Sequence, residues 1–286
     1  MESKDWPLVI FTIIVQLAMG MILMCVGFDG YLASKAGMET AQKVMQWVVF
    51  LTAPLLIIGL LVSLFHLGHP EKAMKAFYNI RSSWLSREGL LMGILTMTLC
   101  FLAILHIFGP VSREVIKPIL WTATVMSLVL VFCMSKIYLL RTVPSWNRNT
   151  TPIAFYTTTI LLGAVAYAVV CVSGVPSAQG RWLTEILSVL AILALFLVGI
   201  QSAIISVGLF TGDAESSPKE GIVPGWKKNN RTVVLRIVFA FAGLGFFGVA
   251  LFTSFLFLVY LAFILVLVSE IAGRFFFYAS HERVGI

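Results

Sequence analysis

Charged residues are scarce in this chain of 286 residues, of which only 12% are Asp, Glu, Lys or Arg. Soluble domains carry about 25% charged residues, and 59% of this sequence is hydrophobic. So little charge cannot keep such a sequence in water as a folded domain, and so apolar a sequence does not stay disordered. The composition therefore excludes a soluble enzyme, a nucleic-acid-binding domain and a disordered chain. It indicates an integral membrane protein whose solvent is the lipid bilayer.

Cysteine and histidine are also few, with four of each. All the cysteines lie inside apolar runs, and none belongs to a CxxC or CxxCH sequence, which disfavours an iron–sulfur cluster or a c-type haem. A b-type haem needs paired histidines at similar depth on facing helices. His66 and His106 end apolar runs at opposite membrane sides, and His281 follows the last run. We therefore expect a protein without haem, iron–sulfur cluster or metal site.

Eight apolar runs are long enough to cross a bilayer, which takes about 20 residues of α-helix. They cover approximately residues 7–28, 44–66, 89–108, 117–140, 152–175, 182–210, 232–250 and 252–279. Only a few residues around Thr253 separate the last two runs, and two helices fit their length better than one bent segment. The sequence predicts an all-α integral membrane protein, a bundle of eight transmembrane helices with both termini on the same side. It predicts a single domain over residues 1–286.

The basic residues are distributed unevenly between the two sides of such a bundle. The side that holds the termini carries 14 Lys and Arg residues, and the other side carries five. Positive residues are enriched in cytoplasmic loops, so the count predicts that the termini lie in the cytoplasm. A basic surface also suits docking of an acidic partner. The net charge of +7 therefore has two explanations, membrane topology and docking.

Ionisable residues in or near the membrane segments are functional candidates, because lipid disfavours them. On the side that holds the termini, His66 occupies the last turn of the second helix and His69 lies just beyond it. Glu88 opens the third helix, with Ser86 as its expected N-cap. A carboxylate and an imidazole at the membrane boundary can accept the hydroxyl protons of a quinol. The alternatives are that Glu88 offsets the helix macrodipole and that His66 caps helix carbonyls.

The last helix and the connection between the fourth and fifth helices add weaker candidates. Glu270 and Arg274 are four residues apart, which is typical of a structural ion pair. Trp146 fits an aromatic belt at the membrane interface. Apolar and aromatic walls near such groups can hold the ring and the isoprenoid tail of a quinol. The weaker candidates for quinol binding are His69, Trp146, Glu270, Arg274 and Tyr278.

Several short motifs are spread along the whole sequence, and each is weak alone. They are Trp6-Pro7-Leu8 with Ile10-Phe11-Thr12 and Gln16, His66-Leu67-Gly68 with Pro70, Leu85-Ser86-x-Glu88, Thr142-Val143-Pro144-x-Trp146, and Glu270-x-x-Gly273-Arg274-x-x-Phe277-Tyr278. Their order, spacing and placement on helices resemble the membrane anchor subunit of bacterial dimethyl sulfoxide reductase, the DmsC family. More distantly, the sequence is similar to the NrfD and polysulfide reductase membrane subunits, which share the eight-helix pattern.

The resemblance implies a haem-free anchor in the cytoplasmic membrane of a bacterium that oxidises menaquinol in anaerobic respiration. Electrons would pass to an iron–sulfur subunit with 4Fe–4S clusters and then to a catalytic molybdopterin subunit, in a heterotrimer. In that family the histidine of the HLG motif and the glutamate after the Leu-Ser pair are linked to quinol oxidation. They correspond here to His66 and Glu88.

The resemblance also implies that the motif side, with the catalytic subunits, lies outside the cytoplasmic membrane, whereas the charge count places that side in the cytoplasm. Either this member is inverted, or part of the basic surface docks the iron–sulfur subunit. We favour docking, because basic residues close to the motif loops are where a partner must sit.

Three other functions stay open at this point. An NrfD-type anchor of a polysulfide or tetrathionate reductase would be distinguished by the adjacent genes. A secondary transporter would place broken helices and polar residues at the bilayer midplane, whereas the polar residues here collect at one face. A purely structural anchor would not co-purify with quinone.

Overall fold

The computed structural model describes residues 6–66, 79–109, 111–143, 145–174, 180–215, 230–253 and 255–279. These residues form eight α-helices. They are α1 (Trp6–Lys35), α2 (Met38–His66), α3 (Trp84–Phe108), α4 (Arg113–Ile137), α5 (Thr150–Gly174), α6 (Arg181–Glu215), α7 (Asn230–Phe252) and α8 (Phe257–Ala279). Each contains a segment long and apolar enough to cross a membrane. The eight predicted spans are confirmed, and the last apolar region consists of two helices.

Helix α3 begins earlier than the sequence predicts. Its N-cap is Ser83, whose backbone is extended and whose side chain accepts a hydrogen bond from the backbone nitrogen of Ser86 at 3.3 Å. The prediction of Ser86 as the N-cap is therefore wrong. Trp84 is the first residue of the helix, and its ring packs against Phe132 of α4, with ring centroids 5.7 Å apart. The earlier start places Glu88 in the second turn of α3 rather than in the first.

Helices α1 and α5 occupy the centre of the bundle. In each, 83% of the most apolar segment is buried, compared with 28–44% in the other helices. They touch at Gly20 and Gly163, where a Cβ atom on Gly20 would lie 2.7 Å from the Gly163 Cα atom. Small residues at a crossing let transmembrane helices approach closely. This contact fixes the relative positions of the polar side chains that α1 and α5 carry.

The two ends of the bundle are distinguished by the helices that begin there. The ring of Trp6 at the start of α1 lies 5.3 Å from that of Phe275 near the end of α8. We call the end at which α1, α3, α5 and α7 begin the motif end, and the opposite one the far end. Residues 1–5 and 280–286 lie outside the described residues. The placement of both termini on one side and the single domain over residues 1–286 stay predictions.

Candidate functional site

An aromatic cluster fills the motif end between α4, α5 and α8. The ring of Tyr138, which follows α4, lies 5.5 Å from the rings of Trp146, Phe155, Phe277 and Tyr278. The Tyr278 hydroxyl donates to the Tyr138 hydroxyl at 3.0 Å. The indole nitrogen of Trp146 donates to the backbone carbonyl of Phe277 at 2.8 Å. Trp146 is half-buried and packs against α8, and its aromatic-belt interpretation stays a prediction.

Glu88 lies beside this aromatic cluster. It is 7% exposed and lies within electrostatic range of the hydroxyls of Tyr138 and Tyr278. No cation of the described residues lies within 4 Å of its carboxyl group. The helix macrodipole acts mainly within the first turn, and Glu88 is in the second. A buried carboxyl group without a counter-charge destabilises the fold, which favours a functional role over the macrodipole interpretation.

A polar cluster lies next to the aromatic cluster, where α8 meets α5, α6 and α7. Glu270 is 1% exposed, and one of its oxygens accepts hydrogen bonds from Thr158 at 2.6 Å and Gln201 at 3.3 Å. Its other oxygen lies 3.5 Å from the guanidinium of Arg236 on α7. The predicted ion pair between Glu270 and Arg274 is therefore wrong, because neighbouring helices supply the partners of Glu270.

Arg274 points towards α1 and α5 instead. Its Nη2 atom donates to Oε1 of Gln16 at 2.7 Å, and its guanidinium lies 3.7 Å from the centroid of the Phe155 ring. Gln16 in turn donates to the backbone carbonyl of Phe155 at 2.8 Å. Because Phe155 also stacks on Tyr138, Arg274 connects the polar cluster to the aromatic cluster. The polar cluster comprises Gln16, Thr158, Gln201, Arg236, Glu270 and Arg274.

A cavity of about 100 Å³ adjoins the polar cluster. The polar side chains that line it are those of Ser145, Arg148, Thr150, Thr151, Thr158, Arg236, Glu270 and Arg274. Sites for drug-sized ligands have volumes of about 300–1,000 Å³. This cavity is therefore too small for the fused rings of a menaquinol.

The predicted site residues that the structure describes all lie at the motif end. Trp146 and Tyr278 belong to the aromatic cluster and Glu88 lies near it, whereas Glu270 and Arg274 belong to the polar cluster. His66 is the last residue of α2, as predicted, and its side chain lies outside the described part of the structure. His69 lies outside the described residues altogether.

Sequence reasoning left three members of the polar cluster unassigned. Gln16, Gln201 and Arg236 lie on three different helices, and only the packing shows that they converge. The signal that could have found them is their position inside apolar segments, where polar side chains are rare and functional. Tyr138 has no such signal, because it lies just past the end of α4 and resembles an interfacial tyrosine.

No group of three or more His, Cys, Asp or Glu residues in the described ranges could hold a metal ion. All four cysteines are free thiols. The absence of a haem or an iron–sulfur cluster from this protein stays a prediction.

Comparison with known proteins decides the family. The family model described as "DMSO reductase anchor subunit (DmsC)" matches residues 1–280. The protein belongs to this family. The resemblance seen in the short motifs is thereby confirmed, and so is the role as a membrane anchor. The match favours this role over an NrfD-type anchor and a secondary transporter.

Curated relatives of this DmsC-family anchor match it over nearly its whole length. It is 28% identical to the YnfH subunit of an anaerobic dimethyl sulfoxide reductase of Escherichia coli (strain K12), over 99% of this sequence and 96% of that protein. It is 27% identical to the C subunit of anaerobic dimethyl sulfoxide reductase from E. coli and 26% identical to the C subunit from Haemophilus influenzae, with the same coverage. The DmsC-family anchor is therefore a multi-pass protein of the bacterial inner membrane.

Proposed function

We propose that this anchor oxidises menaquinol at the motif end and passes the electrons to an iron–sulfur subunit that docks there. The partner's 4Fe–4S clusters would deliver them to a molybdopterin subunit, in a heterotrimer of the dimethyl sulfoxide reductase type. The observation that carries the proposal is Glu88, a buried carboxyl group near Tyr138 and Tyr278 that has no cation within 4 Å among the described residues. His66, at the end of α2, is the second proton acceptor.

The site must accept the hydroxyl protons of menaquinol while menaquinol loses its electrons. Menaquinol releases its electrons to the nearest cluster of the partner subunit and its hydroxyl protons to the protein, and menaquinone leaves. A carboxylate within hydrogen-bond reach of a hydroxyl accepts its proton. The aromatic cluster supplies ring faces for the quinol rings and hydroxyl groups that can hydrogen-bond to its oxygens. The exposed apolar faces of the outer helices allow the isoprenoid tail to stay in the lipid.

The polar cluster supports this site rather than performing the reaction. Glu270 already accepts hydrogen bonds and pairs with Arg236, so it is less available for a substrate proton than Glu88. Arg274 and Trp146 hold the last turns of α8 through Gln16 and the Phe277 carbonyl. These contacts keep Tyr278 against the aromatic cluster.

Docking of the partner at the motif end accounts for part of the basic surface. Arg81 and Arg141 are exposed there, and exposed cations steer an acidic partner surface into register. A C-terminal fusion to a reporter that is active only outside the cytoplasm tests this explanation. We expect activity from that reporter. Activity only from a cytoplasmic reporter would contradict the docking explanation of the charge bias.

The Glu88→Gln variant tests the proton-accepting role. It keeps the shape of the side chain and removes its ability to accept a proton. We expect the complex to assemble and menaquinol-dependent turnover to fall about 100-fold, the usual contribution of general acid–base catalysis. Turnover with a reduced dye, which bypasses the quinol site, should stay unchanged and reports assembly.

Glu39→Gln is the matched control, because Glu39 is an exposed glutamate at the far end, paired with Lys43. It should leave both turnover rates unchanged. Equal menaquinol-dependent turnover in the Glu88 and Glu39 variants would refute the proposed role of Glu88.

A further inference from the structure

The cavity beside the polar cluster has an excess of positive charge. Among the described residues that line it, Arg148, Arg236 and Arg274 face the single carboxylate of Glu270. Glu270 lies 3.5 Å from Arg236, and no carboxylate of the described residues lies within 4 Å of Arg274, which is 4% exposed. A buried cation is unfavourable unless an anion compensates it. The charge distribution therefore calls for an additional negative group.

Two polar atoms at this cavity are buried and have no hydrogen-bond partner among the described residues. They are Nε of Arg274 and Oγ of Ser145. The other contacts of Arg274 are the amide oxygen of Gln16 and the ring of Phe155, and both are uncharged. Guanidinium nitrogens are donors only, and a serine hydroxyl can donate. The missing group is therefore a hydrogen-bond acceptor as well as an anion.

The size and position of the cavity limit which anion can fill it. Its volume of about 100 Å³ suits a few waters, which take about 30 Å³ each, or one compact oxyanion. Arg148 precedes α5 at the motif end. Arg274 lies about 7 Å deeper than the last residue of α8, from the rise per residue of an α-helix. The cavity thus leads from the motif end of the helices towards the interior of the bundle, at the depth where headgroups are expected if the eight helices span the bilayer.

We propose that this cavity binds a phosphate group, with the headgroup of a bilayer phospholipid as its source. Phosphate oxygens match the donors of arginine better than any neutral group, because guanidinium–phosphate hydrogen bonds are charge-assisted and can be bidentate. Basic pockets between transmembrane helices bind lipid headgroups in this way. The Arg274 Nε and Ser145 Oγ atoms donate to the phosphate, and Arg148 adds a charge at the entrance. The cavity adjoins the aromatic cluster at Phe277, but its described lining does not include Glu88, Tyr138 or Tyr278.

The test compares phospholipid retained by the purified complex. The wild-type complex is washed extensively in detergent, and its remaining phospholipid is quantified by mass spectrometry. We expect a phospholipid that resists washing in the wild type and its loss in the double variant Ser145→Ala, Arg148→Gln. Arg181→Gln is the matched control, because Arg181 is an exposed arginine at the far end with 93% of its side chain accessible. Dye-dependent turnover confirms that each complex has assembled.

Added ligands distinguish the two sources of phosphate. A rise in the Tm of the washed wild-type complex with phosphatidylglycerol, absent from the double variant, supports the lipid headgroup. A rise in the Tm of the washed wild-type complex with inorganic phosphate, but not with phosphatidylglycerol, supports a phosphate site that the free ion fills. Equal phospholipid retention in wild type and double variant, with no Tm change from either probe, would overturn the proposal. A cross-link from Ser145→Cys to an acidic segment of the partner subunit would also overturn it, since that segment would then fill the cavity.

Discussion

The two ends of the bundle differ in how the charges of their buried side chains are compensated. At the far end, Asp29 of α1 is 4% exposed and lies 2.7 Å from Arg113 and 3.5 Å from Lys117. The exposed Glu39 in the first turn of α2 has its own partner in Lys43, at 2.6 Å. Both of these carboxylates are compensated by cations, so this end is built as a structural junction between helices.

The motif end leaves charges uncompensated within the described residues. Glu88 has no cation within 4 Å, and Arg274 has no carboxylate. A fold selected for stability alone would pair or remove such groups. The contrast with Asp29 indicates that the motif end gives up stability to keep a proton acceptor and a cation available. This contrast supports the proposal that menaquinol is oxidised at the motif end.

Removing the carboxylate of the polar cluster should have the largest effect. Glu270→Gln keeps an acceptor for Thr158 but leaves Arg236 without its carboxylate partner. Breaking a buried ion pair from one side costs about 3–5 kcal/mol, so we expect a large drop in the Tm of the complex and in its abundance in membranes. Glu185→Gln, which removes the exposed partner of Arg181 at the far end, should cost less than about 1 kcal/mol. Similar losses in the two variants would contradict the contrast between the ends.

A methyl group at the crossing of α1 and α5 should have the next largest effect. In Gly20→Ala the new Cβ atom would lie 2.7 Å from the Gly163 Cα atom, so the helices must separate and the contact between Gln16 and Phe155 must stretch. Overpacking of this kind costs about 1–3 kcal/mol and should lower menaquinol-dependent turnover more than dye-dependent turnover.

Gly27→Ala is the control for this substitution, because a Cβ atom at Gly27 on the same helix meets nothing within 4 Å. Its thermal unfolding and both turnover rates should match those of the wild type. A Gly20→Ala complex that unfolds at the wild-type temperature would show that the close approach does not position the motif end.

The smallest effect on menaquinol-dependent turnover is expected at the far end. Asp29→Asn removes the anion beside Arg113 and Lys117, whose side chains are 14% and 49% exposed. Because Arg113 is about as buried as Arg236, we expect a loss of about 3–5 kcal/mol in thermal unfolding, as when any buried ion pair is broken from one side. The ratio of menaquinol-dependent to dye-dependent turnover should stay at the wild-type value. A lower ratio would place quinol chemistry at the far end and break the comparison.

The helices could be predicted from the sequence better than their ends. Hydropathy located all eight spans, but α1 continues from residue 28 to Lys35 and α6 continues to Glu215. Backbone hydrogen bonding continues a helix into polar sequence at the interface, and hydropathy does not report this. At the start of α3, the cap is Ser83 rather than Ser86, and both serines precede the apolar run, so the sequence offered two caps.

The candidate residues could be selected from the sequence, but their contacts could not be predicted. Glu270 and Arg274 stand out as ionisable residues in an apolar helix, and their spacing suggested that they pair with each other. The structure gives Glu270 the cation of α7 and gives Arg274 the amide of α1. Spacing along one helix carries no information about the side chains that neighbouring helices present.

The central claim is that menaquinol binds at the motif end. A menaquinone analogue with a photoreactive group can be irradiated with the purified complex, and the labelled peptides can be mapped by mass spectrometry. The account predicts labels on the peptides that contain Glu88 and Tyr278, and their loss when excess menaquinol competes. Labels confined to the far-end peptides that contain Asp29 and Arg113, or labels that menaquinol does not displace, would contradict it.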